Sequence, residues 1–184
     1  MLRDLRSHQD AASSKAASAP SRIQESVAII ATLSWILLGA LAALLLAASW
    51  CDLRSRNIPN GLNLAIALLA IPFWGVSGLA VWPDMALQVA VALFVFALFA
   101  AAFAVGMMGG GDVKMIGALA LWLPWQAVIV LLVIMSLAGG ALTFAMLIRR
   151  RLARREEPIE VPYGVAIAFG GLWLLSERFL YQFG

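Results

Sequence analysis

The sequence predicts an all-α integral membrane protein: a bundle of about six transmembrane helices, the fourth short and entered through a glycine-rich segment. Three observations carry this. The 184 residues are 63% hydrophobic and only 12% charged, with a mean hydropathy of +0.93. A soluble domain of that size has too much surface to hide so much apolar side chain. Five apolar runs each exceed twenty residues, and as helices they match a hydrocarbon core of roughly 30 Å. The basic residues of the short loops collect on one side, as the positive-inside rule requires.

Residues 1–26 are Ala, Ser and charge without an apolar period, which predicts a flexible polar tail ahead of a membrane-embedded domain over 27–184. The run that follows is too long for a signal-peptide core and lacks a clear small-residue cleavage site. Spans are expected at about 27–50, 61–82, 85–108, 125–148 and 161–181. The segment Asp112–Leu123 is apolar but only roughly 18 Å long as a helix, too short to cross alone. It is expected as a half-span buried among other helices and continued by Pro124-Trp125.

With six crossings and the N-terminus outside, Arg54, Arg56, Lys114 and the Arg149–Arg155 cluster face the cytoplasm. That cluster holds five of the thirteen basic residues, and the opposite loops carry Asp84 and no base. Arg3, Arg6, Lys15 and Arg22 in the tail argue against this orientation. Trp50, Trp82, Trp122 and Trp125 lie near predicted helix ends, where indoles prefer the interface. Gly39, Ala43 and Ala47, and the pairs Gly139-Gly140 and Gly170-Gly171, are expected to let helices approach closely. Met107, Met108 and Met115 read as adaptable filler.

Composition also excludes several function classes. A single cysteine, Cys51, rules out an intrachain disulfide framework and a zinc site of paired CxxC type. No aromatic and basic interleaving marks a nucleic-acid surface, so no nucleic-acid partner is expected; the Arg149–Arg155 cluster fits topology and, secondarily, contact with anionic membrane lipid. The only histidine, His8, lies in the tail, so Cys51 has no base to activate it as a nucleophile. Neither metal nor cofactor is expected.

Chemistry concentrates on two aspartates. Asp52 ends the first apolar run and Asp112 follows Gly109, Gly110 and Gly111. Ionisable groups at membrane depth are costly and therefore functional candidates by default. At the start of its segment, Asp112 can be an N-cap that accepts backbone N–H groups, which favours its ionised form. Asp52, at the C-terminal end of a helix, faces carbonyls that disfavour charge. If the two approach within reach of one water, they hold one proton between them and can activate that water against a peptide carbonyl. The glycines would let an extended peptide come close. Spacing leaves plainer readings open: Asp112 as only a helix cap, and Asp52 as an interfacial charge paired with Arg54 or Arg56. A transporter or channel subunit whose carboxylates relay protons or cations is a further alternative, as is a non-catalytic scaffold. Transporters usually hold such groups near the midplane, whereas both aspartates here lie near one edge, and no internal repeat is evident.

Three stretches carry a resemblance. Asp52-Leu53-Arg54-Ser55-Arg56-Asn57-Ile58-Pro59-Asn60 looks like the first aspartate motif of the prepilin peptidases, an aspartate with a basic stretch and Ile-Pro-Asn. Gly109-Gly110-Gly111-Asp112-Val113-Lys114 resembles their second motif, Gly-x-Gly-Asp-x-Lys, shared more loosely with other intramembrane aspartyl proteases. Val161-Pro162-Tyr163-Gly164 resembles their Pro-aromatic-Gly entry to the final helix. The resemblance implies a six-helix, multi-pass protein of the bacterial inner membrane that cleaves leaders from type IV prepilins or pseudopilins at the cytoplasmic face. It implies Asp52 and Asp112 as the catalytic pair, with Gly109, Gly111, Lys114, Asn57, Pro59 and Asn60 binding substrate or supporting the site. Other pilus-assembly components are possible partners on the same ground. Larger members of the family carry an insert with paired CxxC motifs associated with N-methylation. This chain resembles the short form of tight-adherence (Flp-type) pilus systems, for which methyltransferase activity is not expected. Lys114 is equally well explained as a topology anchor, and Pro59-Asn60 as a plain helix start.

Overall fold

In a computed structural model, backbone is described for residues 2–153 and 161–183, and side chains for 22–152 and 161–177. The elements are α1 (Leu2–Ser55), α2 (Asn60–Val76), α3 (Ala86–Ala104), α4 (Gly110–Ala120), α5 (Trp125–Ala153) and α6 (Tyr163–Phe183), with one helical turn over Val81–Met85 leading into α3. Among the described residues, three stretches are long and apolar enough to cross a membrane by themselves: Arg22–Ser55, Val81–Ala104 and Trp125–Leu152. The chain is an all-α membrane protein, as its composition predicts.

The chain divides into two compact units, residues 1–36 and 37–184. The first is the N-terminal part of α1. Its backbone is helical through the stretch expected as a flexible tail, in keeping with the helix propensity of its Ala, Arg and Lys residues. Its described side chains include an exposed Ile23, Val27 and Ile29. Ser26, Thr32 and Ser34 donate to carbonyls one turn earlier, so their hydroxyls need no outside partner.

The second unit contains the core. From Leu37 on, α1 buries Leu38, Leu41, Leu45, Ala48 and Asp52, spaced three and four apart along one face. Of the small-residue face expected to pack, Gly39 and Ala43 are exposed instead and Ala47 is half-buried. A continuous branched-aliphatic stripe offers more area to bury than a glycine face does. Of the two glycine pairs, Gly139, Gly170 and Gly171 lie against other helices and Gly140 does not. A Cβ on Gly139 would meet Tyr163 at 3.3 Å, and one on Gly171 would meet Leu119 at 2.9 Å and Leu45 at 3.0 Å.

Two helices stop earlier than their apolar runs. The run expected over 61–82 is helical only to Val76. Gly78 turns at φ +70, Leu79 N–H bonds the Trp74 carbonyl at 3.1 Å, and Gly78 N–H bonds the Gly75 carbonyl at 3.2 Å. α3 ends at Ala104 in the same way, with Gly106 at φ +75 and Met107 N–H on the Ala102 carbonyl at 3.0 Å. Both are Schellman stops, which use a left-handed residue that glycine adopts without steric penalty.

α4 is the centre of the unit. At 11 residues it is roughly 16 Å long, and every residue from Asp112 to Ala120 except Lys114 is buried. It packs on α2, α3 and α6, and α5 packs on α6. This is the buried half-span expected from its length.

Trp122, expected at the interface, is instead 2% exposed. Its ring lies 4.9 Å from that of Phe73 and its Nε1–H donates to the Ile66 carbonyl at 2.8 Å. A buried indole needs a partner for that N–H, and the α2 backbone supplies it. Trp50, Trp82 and Trp125 are exposed as expected. Trp122→Ala is expected to destabilise the fold by about 3–5 kcal/mol, read as a lower midpoint for thermal unfolding in detergent.

Candidate active site

α1 terminates because Arg56 takes a left-handed conformation, φ 53, and returns its N–H to the Asp52 carbonyl at 3.0 Å. Asp52 lies one turn before that stop, as the last member of the buried stripe of α1, and is 4% exposed. Its carboxylate does not simply face the carbonyls of its own helix. Oδ2 accepts the backbone N–H of Val165 at 3.3 Å, an N–H shared with the Pro162 carbonyl at 3.2 Å, in the first turn of α6, the end of the helix that carries positive partial charge. Asp52 lies at a helix C-terminus and is buried, and a second helix start, 113 residues on, also meets its carboxylate.

Asp112 is not the expected N-cap. The N-cap of α4 is Gly109, in extended conformation, and Gly110 and Gly111 are already helical. Asp112 is the third helical residue, 7% exposed, and its carboxylate lies back against Gly109, where an added Cβ would sit 3.0 Å from Oδ2. The carboxylate thus still interacts with the N-terminal turn, but from inside the helix. The Gly109–Gly111 run is thus not an unwound segment; only Gly109 lies outside the helix.

The two carboxylates come together. They interact electrostatically, and the backbone of Gly164 lies beside both. The room for this is made by missing side chains. A Cβ on Gly164 would sit 2.7 Å from Ile58 Cδ1 and 2.9 Å from Asp52 Oδ2, and a Cβ on Gly109 would sit 3.0 Å from Asp112 Oδ2. A Cβ on Gly111 would meet Ile58 at 3.2 Å. Ile58, 3% exposed, is thus a wedge between the glycines of α4 and α6.

The first two motifs also bond to each other. Lys114 Nζ donates to Asn60 Oδ1 at 2.8 Å, and Asn63 Nδ2 donates to the Gly111 carbonyl at 3.1 Å. Pro59 is the N-cap of α2. Asn57 is exposed, and its carbonyl accepts from Ser55 Oγ at 3.3 Å. Of the residues singled out in the sequence, Gly109, Gly111, Asn60 and Lys114 join the network around the aspartates, Pro59 starts α2 beside it, and Asn57 points no described side-chain contact towards it. Ile58, Asn63 and Gly164 belong to the network but were not among those candidates. Ile58 and Gly164 sat inside the quoted motifs, so the signal for them was present; Asn63 had none. Among the described residues, no group of three His, Cys, Asp or Glu could hold a metal ion.

Fold and site together define a class: a helical membrane protein that buries two carboxylates at the meeting point of three helices. The profile of the type IV leader peptidase family matches residues 27–144, more than half of the chain. Among curated proteins, the chain is similar to a prepilin leader peptidase/N-methyltransferase of Burkholderia pseudomallei, 32% identical over 136 residues, covering 71% of this chain and 43% of that protein. A protein of the same description from Aeromonas hydrophila is 32% identical over 160 residues, covering 81% and 53%. One from Aeromonas salmonicida is 31% identical over 157 residues, covering 80% and 52%. The chain thus spans about half the length of these relatives. No solved structure matches it significantly. The chain belongs to the type IV leader peptidase family.

Proposed function

We propose that this protein is a prepilin leader peptidase: an aspartyl endopeptidase of the bacterial inner membrane that cleaves the leader of a Flp-type prepilin or pseudopilin at the cytoplasmic face. The single observation that carries the reading is the meeting of two buried carboxylates, Asp52 from α1 and Asp112 from α4, which interact electrostatically beside the start of α6. Two carboxylates this close share a proton rather than both ionising, and titrate as a pair. The ionised member takes a proton from a water between them, the water attacks the leader peptide carbonyl, and the protonated member donates to the carbonyl oxygen. As the C–N bond breaks, the proton taken from water passes to the leaving amine and a hydroxyl of the diol intermediate returns its proton to the other carboxylate, which restores the pair. Because each carboxylate lies beside a helix start, helix ends do not assign the acid and base roles. Substrate binding is assigned to the polar groups beside the pair, Lys114 and Asn60 first, with the apolar part of the prepilin held in the membrane alongside the bundle.

The test is cleavage of a Flp-type prepilin by the purified protein in proteoliposomes, followed by mass spectrometry. The expected result is a mass loss equal to the leader. Intact prepilin after prolonged incubation would overturn the reading.

A further inference from the structure

A groove of about 500 Å³ lies along one face of α4, within the range of specific ligand sites. Each of three helices lines it at the spacing of a single helical face. Asn60, Asn63, Leu64 and Ala67 do so from α2, and α4 contributes Lys114, Gly117 and Ala118, with Leu121 just past its end. The α3 wall runs from Val89 to Phe96 at the same spacing. Both α2 and α3 pack on α4, so the groove has α4 as its floor. Gly117 in that floor lets α3 come close, since a Cβ there would meet the Phe96 ring at 3.0 Å. Its rims, Leu64 and Leu93, are 58% and 62% exposed.

One end of the groove is tied to the aspartates. Lys114 lies two residues after Asp112, and Asn63 holds the Gly111 carbonyl. The other end runs into the apolar body of the bundle at Leu121. Asn63 is itself the second pointer to a ligand. It is 4% exposed, it lines the groove, and its Oδ1 has no hydrogen-bond partner among the described residues. A buried acceptor without a donor is costly and calls for an explanation. A lipid acyl chain would fill the apolar volume but has no donor to offer. An apolar peptide segment has one in its first-turn N–H groups or in a hydroxyl side chain.

We infer that the groove between α2, α3 and α4 is the seat of the apolar helical segment of the polypeptide substrate, with Asn63 as its polar anchor. The inference rests on the peptidase reading and adds the face on which the substrate lies. This is the helix-in-groove mode, in which residues one helical face apart anchor an apolar helix. The segment enters from the lipid between Leu64 and Leu93, and its end nearest Lys114 lies one helical turn from Asp112.

The test uses the full chain carrying Asp112→Asn to prevent turnover, reconstituted with a Flp-type prepilin. The photocrosslinker p-benzoylphenylalanine is placed at position 67, at position 93, or at position 133, an exposed site on α5. Adducts from 67 and 93 that map to the apolar segment of the prepilin, with few from 133, are expected. Equal yields at all three positions, adducts only with lipid, or adducts with a second copy of the chain would overturn the groove. In a separate assay on the otherwise unaltered chain, Ala67→Leu should raise KM for the prepilin by about tenfold while kcat is kept; an unchanged KM counts against the groove. If the unaltered protein cleaves the prepilin and the crosslinks are absent, only the groove inference fails. If it does not cleave, the peptidase reading fails first.

Discussion

Asp52→Asn and Asp112→Asn are each expected to lower prepilin cleavage by at least about a thousandfold while leaving the protein inserted and folded. Asn matches Asp in shape and keeps an acceptor oxygen, so the Val165 N–H that bonds Asp52 Oδ2 at 3.3 Å is still satisfied. What it cannot do is carry the shared proton. The structural alternatives predict the opposite split. If Asp112 only lay against Gly109 and Asp52 only bonded α6, Asn would serve nearly as well. Leader removal is followed on gels, and folding by thermal unfolding in the same detergent. Substantial cleavage by either variant would remove the dyad.

Gly164→Ala is expected to be the most damaging substitution outside the pair. The added Cβ would lie 2.7 Å from Ile58 Cδ1, 2.9 Å from Asp52 Oδ2 and 3.0 Å from Asp52 Cγ. The Ile58 tip can turn aside, but the carboxylate can yield only by leaving Val165 or by pushing α6 away from α1. Misplacing a reacting group by an ångström costs on the order of a hundredfold, and a loss of that size in kcat is expected. Overpacking should also cost about 1–3 kcal/mol of stability. Gly140→Ala provides the comparison, because its Cβ would meet nothing within 4 Å; it should be neutral by both measures. Equal effects at the two positions would mean that the crowding around Asp52 is not what matters.

Much of this was legible in the sequence because lipid simplifies the code. Apolar length gave the helices, and the shortness of Asp112–Leu123 announced a half-span buried among its neighbours. What stayed hidden depends on partners distant in the chain. Trp122 looks like an interfacial indole until the Ile66 carbonyl is brought to its Nε1. Asp52 looks like a charge at an unfavourable helix end until α6 arrives with Val165. One local signal was available and unused: Asp52 continues the Leu41, Leu45 and Ala48 face, which turns it inward rather than towards solvent. The early ends of α2 and α3 were also readable, from Gly78 and Gly106, but a hydropathy run does not register a turn made of apolar neighbours. Asn63 had no signal at all, since one amide in an apolar run resembles tolerated noise until its Nδ2 is seen on Gly111.

The dependence of Asp52 on the last helix also bears on biosynthesis. Asp52 and Asp112 are translated well before Gly164 and Val165, the residues of α6 that lie beside them. On the proposed reading, a nascent chain holds both carboxylates in the membrane yet has no finished site until α6 inserts and Ile58 is gripped between Gly111 and Gly164. Proteolytic competence is then the final event of assembly, so stalled or truncated products are inert towards the other apolar helices around them.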